Sequence, residues 1–209
     1  MSNQIDVRGD EDGRKTAVWR DRFLAQQYFL ILANTGMRVG EVRELRWSDL
    51  RMVGSDGDKR MVAWVTGKTG AREVIFQPKS DRYVKNLYDM RAEELGRAPD
   101  LDGYVICHRD GSTVQSFKNS FKSLMNYAGI AIERNGMSRT VYSLRHYYAT
   151  KRLEHEVSPF MLAKQMGTSV EMLEKFYGQT SVNASTAKTV TKGNQATTVS
   201  TRKGAYPFE

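Results

Sequence analysis

Three short runs of β-branched and apolar residues interrupt a chain that otherwise reads as helix, and this insertion limits the fold more than any other feature. The runs are Leu50–Val53, residues 61–66 and residues 73–76. Gly54-Ser55-Asp56-Gly57-Asp58 separates the first two, and Gly67-Lys68-Thr69-Gly70 separates the last two. Gly and Asp at such places supply the backbone freedom and local hydrogen bonds of tight turns. The spacing predicts a three-stranded antiparallel meander whose second hairpin carries Lys68 at its tip. The expected fold class is therefore α+β, a mainly helical domain with a small three-stranded antiparallel sheet.

Helical periodicity accounts for much of the remainder. Residues 16–34 place Leu24, Tyr28 and Ile31 at positions i, i+4 and i+7, with no internal Pro or Gly. Asn34-Thr35-Gly36 reads as a stop and restart, and 38–46 sets Val39, Val42 and Leu45 on one face. Pro78 ends the sheet, and Ser80 is placed to cap a helix over 81–95 whose apolar face is Tyr83, Leu87 and Met90. A brief extended piece over 103–107 precedes a helix over 115–127, with Phe117, Phe121 and Leu124 in register. After a break near Gly136, helices are expected over 142–153, 158–166 and 169–177, with Gly167 between the last two.

The domain organisation follows from where this patterning starts and stops. Residues 1–16 read as a polar leader, 17–178 as one domain, and 179–209 as a tail rich in Ser, Thr, Lys, Ala and Asn. Such a tail buries too little apolar surface to fold alone. Tyr206 and Phe208 near its end are candidates for docking on another surface.

Charge points to the class of partner. The 209 residues hold 32 Lys and Arg against 24 Asp and Glu, a net charge of +8, which favours a polyanion, most often nucleic acid. No apolar run approaches the ~20 residues of a membrane span. The first fifteen residues are too polar for a secretory signal. A single cysteine, Cys107, makes no internal disulfide and fits a reducing, cytoplasmic setting.

Against that background a few polar residues stand out. Arg38 follows Gly36 at the start of a helix, and Glu41 lies three positions on, on the same side. Read blandly they are a surface ion pair. Read functionally, a guanidinium held by a carboxylate grips a phosphate with two parallel hydrogen bonds. Arg145 and His146 lie in Val141-Tyr142-Ser143-Leu144-Arg145-His146-Tyr147-Tyr148-Ala149-Thr150, on a helix whose other residues look buried, with no acid on the same face. An anionic ligand is a candidate partner for Arg145. Lys68 on a hairpin tip is ordinarily solvated, but beside other cations it can serve as a general acid. Tyr177 is ordinarily a core residue; as a nucleophile its phenol, with a pKa of ~10, needs nearby cations.

Other chemistries are disfavoured. Gly67-Lys68-Thr69 ends like a phosphate-binding loop, but position 62 is Val where that loop needs Gly. No His/Cys cluster has zinc spacing. Asp56 and Asp58 lack the rest of a calcium loop, and the remaining carboxylates form no two-metal pattern. No metal and no cofactor enters the reading.

Taken together, these residues resemble the catalytic domain of the tyrosine recombinase, or phage integrase, family from about residue 17 to 178. Thr35-Gly36-Met37-Arg38-Val39-Gly40-Glu41 resembles its first arginine box and Lys68 its hairpin lysine. Ser143-Leu144-Arg145-His146 with Tyr148-Ala149-Thr150 resembles its second arginine box, and Met166-Gly167 followed by Tyr177 resembles the stretch ending in its nucleophile. The resemblance implies that Tyr177 attacks a DNA phosphodiester, Arg38 and Arg145 neutralise the developing charge, and Lys68 protonates the leaving oxygen. It also implies double-stranded DNA as partner, a homotetramer on DNA, and a C-terminal segment passed to a neighbouring subunit.

Two positions depart from the family pattern. Tyr142 stands where the family usually has His, and Thr168 where it often has His or Trp. Each keeps a hydroxyl donor, although losing one such donor costs on the order of 10²-fold in rate. The catalytic set is thus Arg38, Lys68, Tyr142, Arg145, Thr168 and Tyr177, supported by Glu41 and His146. The alternatives are a non-catalytic DNA-binding regulator of the same fold, and a type IB topoisomerase-like or resolvase activity.

Overall fold

The expected sheet forms, with a longer second hairpin than the sequence suggested. β1 (Leu50–Val53), β2 (Arg60–Gly67) and β3 (Gly70–Ile75) run antiparallel in the order β1-β2-β3. The register sets Ala63 against Val74, Val65 against Arg72 and Gly67 against Gly70. Ala63, Val65 and Val74 are buried on one face, while Trp64, Glu73 and Ile75 are exposed on the other. The third strand therefore starts at Gly70 rather than at residue 73. Ala71-Arg72-Glu73 has little strand propensity of its own; pairing with Val65 and Thr66 across the hairpin overrides it. This places Arg72 on the inward-facing side with Val74.

In this computed structural model the described residues are 17–55, 57–67, 70–134 and 136–177. The leader expected over 1–16, the tail over 179–209 and Lys68 lie outside them. Seven helices are present among the described residues: α1 (Ala17–Thr35), α2 (Val39–Glu44), α3 (Asp81–Leu95), α4 (Lys118–Tyr127), α5 (Ser143–Glu154), α6 (Pro159–Met166) and α7 (Val170–Tyr177). A two-stranded pair, β4 (Glu133–Arg134) and β5 (Met137–Ser138), fills the region where only a break was expected. No helix among the described residues is long and apolar enough to cross a membrane.

Helix α1 is the axis of the larger core. It packs on α2, α3, α4 and α5, so its buried residues cover more than one face. Leu24, Tyr28 and Ile31 are buried, as their spacing predicts. Each such large apolar side chain contributes about 1.5–3 kcal/mol on burial. Tyr28 stacks on Phe117 at 4.3 Å between ring centroids and donates its hydroxyl to the Val39 carbonyl at 3.1 Å. The smaller core joins the last three helices through Tyr148, Ala149, Leu162, Ala163, Met166 and Leu173.

Three local expectations are corrected. Ser80 does not cap α3 through its side chain; it sits in the helical region itself and its hydroxyl donates back to the Gln77 carbonyl at 2.6 Å. The apolar face of α3 gains Val84, buried with Leu87 and Met90, while Tyr83 is only partly buried against the same core. On α4 Leu124 is exposed, while Phe117, just ahead of the helix, is buried with Phe121 in the aromatic cluster around α1.

The two cores are joined at the edge of the sheet. Gln165 of α6 donates to the Ile75 carbonyl at 2.8 Å and to the Thr35 carbonyl at 3.2 Å, and its side-chain oxygen accepts the Ile75 N–H at 3.1 Å. The side chain thus continues the ladder that β3 would otherwise leave open. This seam brings α6 and the turn after it against the segment that leads into α2.

Candidate active site

Arg38 immediately precedes α2 in extended backbone conformation, which turns its N–H and its side chain toward the same carboxylate. Its N–H donates to Glu41 Oε2 and its Nη1 to Glu41 Oε1, both at 2.8 Å. Glu41 is only 8% exposed, so this is no surface pair. The same carboxylate also takes both Nη1 and Nη2 of Arg72, each at 2.8 Å. Burial alone would push the Glu41 carboxyl up; the hydrogen bonds from Arg72 and Arg38 outweigh it and hold the group below the usual carboxylate range.

Arg145 lies in the first turn of α5 and is 4% exposed. The sequence offered it no acid. Its partner proves to be a backbone oxygen, the Gly36 carbonyl, which accepts from Nη1 at 2.6 Å. Burial lowers the pKa of Arg145 from its ordinary value, Tyr142 opposes that, and Arg38 adds to it. A guanidinium keeps its proton through such a shift. Two arginines, Arg38 and Arg72, therefore share one carboxylate, and Arg145 lies within electrostatic reach of all three groups. A region of excess positive charge, partly withdrawn from water, suits a phosphate.

The turn after α6 closes this cluster. Arg38 Nη2 donates to the Gly167 carbonyl. Gly167 has φ +64, and a Cβ there would lie 2.6 Å from Arg72 Cζ, so glycine serves both the turn and the close approach. Thr168 is half-buried, and its N–H donates to the Ala163 carbonyl at 3.0 Å. The turn thus brings Thr168 beside the residue that touches Arg38.

Tyr142 is the residue before α5 and is 46% exposed. Its ring meets that of His146 edge-on at 5.0 Å, and His146 in turn lies 5.9 Å from the ring of Phe176. Burial, then the charge of Arg145, lowers the His146 pKa, leaving the imidazole neutral at pH 7. Phe176 is the neighbour of Tyr177, which closes α7. The helix that bears Tyr177 is therefore seated against α5; the Tyr177 side chain itself lies outside the described residues. So does Lys68, but its neighbour Gly67 is placed: a Cβ there would lie 2.8 Å from Glu41 Oε1 and 3.1 Å from Arg38 Nη1.

The fold thus brings together Arg38, Glu41, Arg145, Tyr142, His146, the Thr168 turn and the helix of Tyr177. One member of the cluster, Arg72, was not foreseen. The signal for it was present, since Arg72, Val74 and Phe76 alternate along one face of β3 and its extension, but it was lost when the strand was begun at residue 73. Among the described residues no group of three or more His, Cys, Asp and Glu is arranged to hold a metal ion.

Comparison with known proteins gives concordant results. The profile of the phage integrase family matches residues 11–185. A tyrosine recombinase XerC-like protein of Caldanaerobacter subterraneus subsp. tengcongensis is 24% identical over 196 residues, covering 81% of this chain and 49% of its own length. The chain therefore spans about half the length of the curated relative it matches. Among solved structures, XerA recombinase superposes with a TM-score of 0.57 at 22% identity, covering 84% of this chain and 62% of that one. XerH site-specific recombinase bound to a palindromic difH substrate, in a post-cleavage complex, gives 0.59 at 18% identity, covering 81% and 50%.

Proposed function

The chain belongs to the phage integrase family, and on that premise we propose that it is the catalytic part of a site-specific recombinase that cuts and rejoins DNA through Tyr177. The observation that carries this reading is the meeting of the two arginine segments, with Arg145 bonded to Gly36 and Arg38 bonded to Gly167. Guanidinium groups so held are preorganised for the non-bridging oxygens of one phosphodiester, and such preorganised electrostatics is usually the largest catalytic contribution.

In the proposed step Tyr177 releases its phenolic proton to solvent, its oxygen attacks phosphorus, and the bond from phosphorus to the 5′ oxygen breaks. The product is a 3′-phosphotyrosyl link and a free 5′-hydroxyl. Lys68 supplies the proton to the departing oxygen. Arg38 and Arg145 offset the charge that accumulates on phosphorus-bound oxygens, with Glu41 holding Arg38. Tyr142 and Thr168 donate hydroxyl hydrogens toward the same phosphate. The link keeps the energy of the broken ester, so rejoining to a new strand needs neither metal nor ATP. Double-stranded DNA is the partner, and a homotetramer on two duplexes is the working assembly.

The test is trapping on a nicked suicide duplex carrying a candidate crossover site, in EDTA, with Tyr177→Phe as control. A DNA-linked protein band that disappears in the control supports the reading. Folded wild-type protein that binds the duplex and forms no band, even as part of a longer chain with a further DNA-binding domain, leaves a DNA-binding regulator instead.

A further inference from the structure

We propose that Arg72 is a positioning residue for strand cleavage, acting through Glu41 on Arg38 and through the Gly167 turn on the segment that leads to Tyr177. The inference rests on the chemistry proposed above and adds to it a residue outside the arginine boxes and the hairpin lysine.

Arg72 occupies an inward position of β3, in register with Val65, and its side chain is only 10% exposed. All three kinds of nitrogen on its guanidinium are used. Nη1 and Nη2 meet the two oxygens of Glu41 at 2.8 Å each, and Nε donates to the Gln165 carbonyl at 3.1 Å. The closeness of Gly167 to Arg72 Cζ, where a Cβ would sit at 2.6 Å, completes the contact. One side chain therefore touches α2, the last turn of α6 and the turn beyond it, from a strand that begins next to the Lys68 hairpin.

Two physical consequences follow. A bidentate arginine fixes the plane of the carboxylate it holds. Glu41 uses the same two oxygens for the N–H and Nη1 of Arg38, so the plane set by Arg72 determines where Arg38 points. The second consequence concerns charge. A lone Glu41 would pair with Arg38 as a neutral unit and compete with a phosphate for it. Sharing the carboxylate between two guanidinium groups leaves the unit positive. A lysine at position 72 keeps the charge but cannot give two parallel bonds together with a third along Nε.

The bland role for such a residue is to hold β3 to its neighbours, and the experiment separates the two. Single-turnover formation of the covalent adduct on the nicked suicide duplex, and the Kd for the same duplex, would be measured for wild type, Arg72→Met, Arg72→Lys, Glu41→Gln and the Arg72→Met/Glu41→Gln double variant. The expected result is an adduct rate about 10²-fold lower in Arg72→Met, with Kd changed by less than about threefold. Arg72→Lys recovers thermal stability without recovering the rate. The double variant is no slower than Arg72→Met, because removing Arg72 already forfeits the route through Glu41. Wild-type speed in Arg72→Lys, or losses that multiply in the double variant, overturns the proposal. If Arg72→Met does not fold, Arg72→Lys alone decides, since it must be folded, bind DNA and be slow. A wild type that binds the duplex without a Tyr177-dependent band overturns the proposed chemistry and this role with it. A wild-type band beside undiminished variants overturns only the role of Arg72.

Discussion

Arg145 donates from Nη1 to the carbonyl oxygen of Gly36 at 2.6 Å, across 109 positions of sequence. A buried guanidinium thus finds its partner in the backbone of the turn that precedes Arg38, and the two arginine segments are set by one bond. The acceptor is the turn itself rather than an acid, so the charge of Arg145 remains available to an incoming anion.

Arg145→Met is expected to lower stability by about 1–3 kcal/mol, because the Gly36 carbonyl loses a buried donor. It should also abolish the covalent adduct. Arg145→Lys should recover part of the stability and little of the rate, since an ammonium does not reproduce the planar fork. Urea unfolding and suicide-duplex trapping read the two effects separately. A fully stable Arg145→Met protein would mean that the Gly36 bond contributes nothing.

Glu41 makes stability depend on acid pH. Its folded pKa is held below the ordinary value, with burial outweighed by the bonds from Arg72 and Arg38. The stabilisation is complete above the unfolded pKa of about 4.3 and fades as pH falls through the folded value. Glu41→Gln should therefore be less stable than wild type at neutral pH, with the gap closing as pH drops below about 4. Denaturant midpoints followed across that range check it; a gap that stays constant would contradict the assignment.

His146 acts in a higher window. Burial and Arg145 lower its folded pKa, so the unfolded chain takes up a proton first as pH falls below about 6.5. Stability should decline there, and His146→Asn should flatten that decline while leaving the limb below about pH 4 that belongs to Glu41. Parallel wild-type and variant profiles between about pH 7.5 and 5.5 would exclude His146 as the source.

Gly67→Ala tests the hairpin from its other side. Its new Cβ would lie 2.8 Å from Glu41 Oε1 and 3.1 Å from Arg38 Nη1, so the carboxylate must move and Arg38 with it. The adduct rate should fall by about 10²-fold, and stability by about 1–3 kcal/mol as the buried carboxylate's hydrogen bonds are disturbed. Single-turnover trapping and thermal unfolding measure these. An unaffected rate would show that Arg38 tolerates displacement of Glu41.

Much of the architecture was legible because it is written locally. Leu24, Tyr28 and Ile31 recur at the helical period and are buried, and the alternation along β2 separates Ala63 and Val65 from Trp64. Burial of apolar groups acts residue by residue, so a periodic pattern declares the inward face before the partner is known. The arginine boxes were legible in the same way, as short contiguous runs that resemble a family to which the chain belongs.

What the tertiary structure alone decided is which polar group meets which. Arg145 with Gly36, Arg72 with Glu41 and Gln165 with Ile75 are separated by 109, 31 and 90 positions respectively. A long polar side chain can satisfy itself on any carbonyl or carboxylate within reach, and its own sequence neighbours carry no mark of the choice. That choice is made where the smaller core of α5, α6 and α7 docks against the edge of β3. Only there does the buried Glu41 carboxylate find both Arg72 and the partly exposed Arg38, while the buried Arg145 finds the Gly36 carbonyl.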